Sequence, residues 1–348
     1  MKFRTPRDFP RHLTRSALLL LTVLVASPGF ASEPVEASGD LGTGHGHMAY
    51  GRFADAAQSF ERAARHAAKT HDEDGQLHAL QALAEARQAL GAPDQAVLAL
   101  KQAIALAESR GDPRRNALLQ AQLGNTHLQS GRVDEARPLL MTALEAARTQ
   151  KNPAFVAAVL NDLGSLHGIA NDSVAARDAF DEARRLAQET DNHALALRVL
   201  LNAAALELAL REFGRARELA HAAQQVARQL EAQPYLQVQG LIRSGLILSR
   251  VAQLDARERQ ETTRAAHAVL RDALQQAESL QEPRLVSAAS GALGNVYLLD
   301  NRRTEALTRT HQAILAAQRA GAAELLFRWH WQAARLHRAQ RDLDQAIG

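Results

Sequence analysis

The side chains able to do chemistry in this chain of 348 residues are fourteen histidines, many arginines and carboxylates, and no cysteine. His45, His47, His66 and His71 crowd together, and His71 precedes Asp72, Glu73 and Asp74. These are zinc or nickel donor types, but their spacings match no established ligand pattern. They read as loop and helix histidines, so no metal is expected. Gly42-Thr-Gly44-His-Gly46 has no following Gly-Lys-Ser/Thr and no preceding strand, so it is not a phosphate loop. Neither Gly-x-Ser-x-Gly nor His-Glu-x-x-His occurs. The carboxylates alternate with arginines at helix-surface spacings, as solvated faces do. Nothing supports an enzyme or a cofactor.

What remains is recognition chemistry. Asn125, Asn161, Asn202 and Asn295, with Ser165, fall at related places in the chain. Amides both donate and accept, which suits them to the backbone of an extended peptide. Trp329 and Trp331 are the only tryptophans, and Arg328, Arg335 and Arg338 flank them. Tryptophan with arginine is hot-spot chemistry. Packing of these rings against further chain is the alternative. The candidate partner-binding set is therefore Asn125, Asn161, Ser165, Asn202, Asn295, Trp331 and Arg335.

The elements that must position these residues follow from a period. Ala56, Ala96, Ala136, Ala176 and Ala216 are 40 residues apart; Ala266 follows after 50, then Ala306 and Ala346 after 40 each. Such a period marks one supersecondary unit copied many times. Ala, Leu, Gln, Arg and Glu dominate, and alternating runs of Val, Ile and Thr are absent, which predicts an all-α protein. In residues 113–152, Pro113 opens a first helix through Leu119, Leu123, Gly124 and His127, and Gly131 stops it. Val133, Ala136, Leu140, Ala143, Leu144 and Ala147 then write the apolar stripe of a second.

A small residue recurs midway along each first helix: Gly44, Ala84, Gly124, Gly164, Ala204, Gly245, Gly294 and Ala334. It is expected to face the column alanine and bring the helices close, with Phe60, Leu100, Leu140, Phe180 and Leu270 filling the space beyond. Gly51, Gly91, Gly131, Asn171 and Asn301 stand five places before the alanine, where a left-handed residue ends a helix. Arg211, Glu261 and Arg341 occupy that place in the other units, which predicts a different turn geometry there. His127 and His167 share one place in consecutive units, as does Tyr297. Equivalent helices lie about 10 Å apart, too far for one zinc with nitrogens within about 4 Å of each other. These rings read as packing.

These columns resemble the tetratricopeptide repeat family in its variant of about 40 residues, over residues 40–348. The resemblance implies a right-handed α-solenoid of antiparallel helix pairs, a superhelix whose first helices line a concave groove that binds a protein or peptide. Some family members hold a terminal carboxylate there with lysines. Beyond the leader the only lysines are Lys69, Lys101 and Lys151, none on a first helix, so that clamp is not expected. Leu325 to Ile347 resembles the last repeats of bacterial CHAT-type proteins, in which a repeat array precedes a caspase-like domain. This implies, as an alternative function, a regulatory array for a protease domain that the sequence does not contain.

Two departures break the regularity. The 50-residue step adds about ten residues within 246–265, where Asp255-Ala-Arg-Glu-Arg-Gln-Glu-Thr-Thr263 is charged and has no apolar stripe. It is a protruding turn or extra helical turns, and the absence of a helix breaker favours the latter. The segment from Gln340 to Gly348 begins the second helix of an eighth unit and stops, so the natural polypeptide is expected to continue, with a further domain as an intramolecular partner.

Residues 1–31 read as a secretory signal peptide: Lys2, Arg4, Arg7, Arg11 and Arg15, an apolar run from Ala17 to Ala26, then Gly29 and Ala31. The run is about half of the ~20 residues a membrane span needs. The leader has five Lys/Arg and one Asp, which leaves 36 basic and 37 acidic residues in the rest. No basic face for nucleic acid is expected. The organisation predicted is a leader over 1–31, a linker over 32–39 and the array over 40–348, exported to the periplasm or secreted, with no membrane segment once the leader is removed.

Overall fold

The structure, a computed structural model, describes residues 39–339. The leader, nearly all of the linker, and the segment 340–348 lie outside the described residues. The fifteen helices among the described residues are α1 (Asp40–Ala49), α2 (Phe53–Lys69), α3 (Glu73–Ala89), α4 (Pro93–Ser109), α5 (Pro113–Gln129), α6 (Val133–Thr149), α7 (Pro153–Ile169) and α8 (Ser173–Glu189). They continue as α9 (His193–Ala209), α10 (Phe213–Ala227), α11 (Pro234–Leu254), α12 (Arg259–Ser279), α13 (Pro283–Leu299), α14 (Arg303–Arg319) and α15 (Ala323–Ala339). There is no strand among the described residues. The all-α solenoid expected from the period is what forms.

Local chemistry cuts the chain into 17-residue helices joined by short reversals. Asp72, Asp112, Asn152, Asp172 and Asn192 cap helix starts, each accepting from the backbone N–H three residues on. Most of these helices are followed by a left-handed residue; α10 and α11 are not. In the α5–α6 turn, Gly131 N–H donates to the Leu128 carbonyl and Arg132 N–H to that of His127, a Schellman pair. From Gly51 to Arg211 every twentieth residue has positive φ, and the series resumes at Gln281, Asn301 and Gly321. Arg211, with φ 65°, thus makes the same turn as its glycine counterparts, against expectation. The two turn N–H bonds, to Leu208 and Glu207, form there too and offset the backbone cost.

Glu261 is different: it lies inside α12, because the insertion lengthens both helices of its pair. α11 and α12 have 21 residues each, and the reversal falls at Asp255–Glu258. The extra residues are chiefly one added helical turn on each partner, as the lack of a breaker predicts.

Even-numbered helices pack between successive odd-numbered ones, and odd helices also touch each other in sequence, α5 on α7, α7 on α9, α9 on α11 and α11 on α13. The odd helices therefore form an inner layer. Ala56, Ala96, Ala136, Ala176, Ala216, Ala266 and Ala306 are all fully buried. The mid-helix glycine faces a different residue from the one expected. A Cβ on Gly44, Gly124, Gly164 or Gly245 would meet Phe60, Leu140, Phe180 or Leu270, at 2.4 to 2.9 Å. The glycine accommodates the large residue four places after the alanine. Only at Gly294 does the alanine segment itself approach, with the Ala306 carbonyl oxygen at 3.1 Å.

One contact departs from nearest-neighbour stacking. α1 reaches α11, and Phe53 at the start of α2 packs edge-on against Tyr235, with ring centroids 5.0 Å apart. Gly51 has φ 75°, and a Cβ there would stand 2.1 Å from the Tyr235 ring. Phe53 joins the core built by α9 to α13. The superhelix closes on itself, first unit against sixth, and the inner helices face an enclosed interior.

Candidate binding site on the inner helices

Closure explains why the inner helices are buried on almost every side. α7 buries Asn161, Asp162 and Ser165 along with its apolar residues; α9 buries Arg198 and Glu207; α11 buries Gln239, Arg243 and Ser244. A buried polar group is costly unless hydrogen-bonded, so its partners define what the surface can still do.

Of the predicted residues, Asn161 and Asn202 are joined side chain to side chain, while Asn125 and Ser165 on neighbouring inner helices bond elsewhere. Asn125 Oδ1 accepts from Gln88 Nε2 at 3.0 Å and from Gln129 Nε2 at 2.9 Å. Asn161 Nδ2 donates to Asp162 Oδ1 at 2.9 Å, and Asn161 Oδ1 accepts from Asn202 Nδ2 at 3.0 Å. Asn202 Oδ1 accepts from Arg243 Nη2 at 3.1 Å. Ser165 turns back onto its own helix, to the Asn161 carbonyl at 3.1 Å. Asn125 and Asn161 are buried, and Asn202 is half-buried.

The other three stand apart from these bonds. Asn295 is half-buried on α13, while Trp331 and Arg335 are exposed on α15. The two tryptophans separate. Trp329 is buried and packs back onto the preceding unit, its Nε1 donating to Ser287 Oγ at 2.9 Å, so it does not await further chain. Trp331 is 64% exposed. Among the described residues no three histidine or acidic side chains converge as a metal set, and no helix is long and apolar enough to cross a membrane. His45 packs edge-on against Phe60, and burial holds its imidazole pKa down.

Glu85, Gln122, Asp162, Arg198 and Arg243 were not singled out from sequence, since nothing distinguishes them from surface residues of a helix. Gln122 Nε2 lies 3.4 Å from Glu85 Oε1. Burial pushes the Glu85 carboxyl up to about 8, opposed by the charge of Arg198, and burial likewise raises Asp162. The folded protein then binds these protons more tightly than the unfolded chain, whose glutamate titrates near the ordinary 4.5. Their contribution to stability is therefore present at low pH and lost as pH rises from about 4.5 through about 8. His45, His78, His127, His221 and His267, all with lowered values, act in the opposite sense below their ordinary range. The difference between wild type and Glu85→Gln isolates the carboxyl. Urea midpoints at pH 5.5, 7 and 8.5 should show the variant gaining relative stability with pH; a constant difference would contradict the assignment.

Two family models described as tetratricopeptide repeat match the chain, over residues 79–114 and 115–189. No curated protein matches it. Among solved structures it is similar to the apo form of the quorum sensor NprR from B. thuringiensis, with TM-score 0.60 and 11% identity over 88% of this chain and 83% of that one. It is also similar to yeast Tom70, with TM-score 0.57 and 17% identity over 94% and 70% of the two chains. BtubC from P. vanneervenii aligns with TM-score 0.50 and 21% identity over 63% of this chain and 91% of that one. At these identities the likeness is one of fold. The segment resembling CHAT-type arrays lies outside both family matches, and nothing in the comparisons supports it. Residues 79–189 match models of the tetratricopeptide repeat, and the described helices on either side continue the same solenoid of helix pairs.

Proposed function

We propose that the chain is an exported protein-interaction scaffold, and that its inner helices receive an extended segment of a partner protein. The observation that carries this reading is the set of amide side chains on the inner helices. Gln88, Asn125, Asn161 and Asn202 come from four successive inner helices and bond between neighbouring helices in two pairs, Gln88 with Asn125 and Asn161 with Asn202. Amides on successive inner helices can exchange their mutual bonds for those of a peptide backbone with little net cost. The leader-like residues 1–31 support export, and the repeats support a binding role without catalysis.

The test is selection of peptides from a display library against the full chain, followed by hydrogen exchange with and without the best binder. Protection should rise in α5, α7, α9 and α11. Asn202→Ala should weaken binding roughly tenfold, the worth of about one hydrogen bond. Protection confined to the even-numbered helices or to α15 would refute an inner-face site.

A further inference from the structure

The interior contains two charges that the fold does not neutralise. Arg198 on α9 is 7% exposed and Arg243 on α11 is 2% exposed. None of the three side-chain nitrogens of Arg198 has a hydrogen-bond partner. Arg243 donates from Nη2 to Asn202, while its Nε and Nη1 stand unpartnered. Burial, with the like charge of Arg198 added, lowers the Arg243 guanidinium to about 10.

A second buried charge nearby shows what complete pairing looks like in this fold. Glu207, also on α9 and 2% exposed, is held by Arg177 through two parallel bonds, Nε to Oε1 at 2.8 Å and Nη2 to Oε2 at 2.7 Å. Arg215 stands 3.7 Å from the same carboxylate. No such partner is supplied for Arg198 or Arg243. Asp162 and Glu85 feel the charge of Arg198, yet neither forms an ion pair with it. Asp162 instead spends one oxygen on Asn161 and leaves Oδ2 unpartnered. An unpaired buried guanidinium is among the most costly groups a core can hold.

The neighbours give the place a direction. Asn161 holds Asn202, and Asn202 holds Arg243. Arg198 lies one helical turn before Asn202 on α9, and its charge acts on Arg243, so both guanidiniums belong to the junction of α9 and α11; a guanidinium's planar fork matches a carboxylate or phosphate. Asp162 Oδ2 and Gln122 Oε1 present acceptors to the same interior.

We propose that Arg198 and Arg243 form a binding site for a compact oxyanion, carboxylate or phosphate, carried by a ligand whose remaining part donates hydrogen bonds toward Asp162 and Gln122. Asn202 and Asn161 are positioning residues, acting through Arg243. The inference goes beyond peptide recognition and is read on the protein alone.

The experiment titrates the full chain with sodium phosphate, acetate or glycine, against sodium chloride at matched ionic strength, by calorimetry and thermal unfolding. At least one probe should give a saturable heat and a rise of several degrees in the unfolding midpoint that chloride does not reproduce. A response to phosphate alone identifies a phosphate ligand; one to acetate or glycine identifies a carboxylate. Arg198→Met should abolish the response and leave the anion-free midpoint unchanged or raised, because it removes a charge without a partner. Arg243→Lys keeps the charge but not the fork, and should weaken the response about tenfold with the fold intact. The proposal fails if no probe gives a saturable response, if Arg243→Lys responds as wild type does, or if Arg198→Met falls in midpoint as Glu207→Gln does. That last result would mean that Asp162 and Glu85 already neutralise Arg198. Peptide selection can fail with this anion response intact, and the reverse, so the two readings are separable.

Discussion

Tyr235→Ala should cost about 3–5 kcal/mol, the usual penalty for truncating a buried aromatic ring, and should also open the superhelix. Tyr235 is buried between Phe53 and Gly51 of the first unit, while its backbone belongs to the sixth. In an ordinary solenoid each repeat touches only its neighbours, so a truncation loosens one interface and leaves the ends independent. Here the ring joins units that are distant along the chain. Urea unfolding should lose both midpoint and steepness, and the radius of gyration from solution scattering should rise. Gly51→Ala should act in the same direction, because a Cβ there meets the ring and the residue has positive φ. An unchanged radius with a lowered midpoint would show that closure does not depend on this contact. Opening should also admit solvent to Arg198 and Arg243 and remove much of the advantage of a bound anion, linking closure to the site within.

Trp329→Ala should cost a similar amount, about 3–5 kcal/mol, but confined to the last described unit. The indole lies where a Cβ on Gly291 would stand 2.4 Å away, and its Nε1 donates to Ser287. Ser287 Oγ in turn donates to the Ala313 carbonyl at 2.8 Å. One side chain thereby docks α15 onto both α13 and α14. Hydrogen exchange should accelerate in α15 and hardly change in α1 to α9. The remaining fluorescence, from exposed Trp331, should be red-shifted. Trp331→Ala should change stability by no more than about 0.5 kcal/mol, as exposed substitutions do. Equal losses from the two tryptophans would contradict this division of roles.

The contrast between the tryptophans shows what a sequence can and cannot assign. Both carry the same flanking arginines, and only the helix rotation places one in the core and the other in solvent. The left-handed turn residues divide in the same way. Gly51, Gly91, Gly131, Asn171 and Asn301 are legible because glycine and asparagine tolerate positive φ. Lys151, Arg211 and Gln281 take the same conformation. Their side chains give no sign of it, since the backbone bonds of the Schellman turn, and not the residue type, hold them there.

Asn125 and Ser165, 40 residues apart, were legible as equivalent places on the first helices because a fixed period repeats the same side-chain direction, and Asn161 and Asn202 by their nearness to the mid-helix small residue. Their bonding to one another was not legible. Nor were Arg198, Arg243, Glu85 and Asp162, which look in sequence like any charged residues on a helix. Their state depends on which surfaces the far end of the chain covers.

By itself, then, the sequence determined the repeating helix pair, its length, the buried alanine column and the lengthened sixth unit. Each of these rests on contacts within one or two repeats, where residue type and spacing suffice. Only the tertiary structure decided that the first unit meets the sixth and that the concave side becomes an interior. It also decided that two arginines stand there without a carboxylate in ion-pair contact. Small rotations accumulate from unit to unit, and whether the ends meet depends on their sum, which no single repeat encodes.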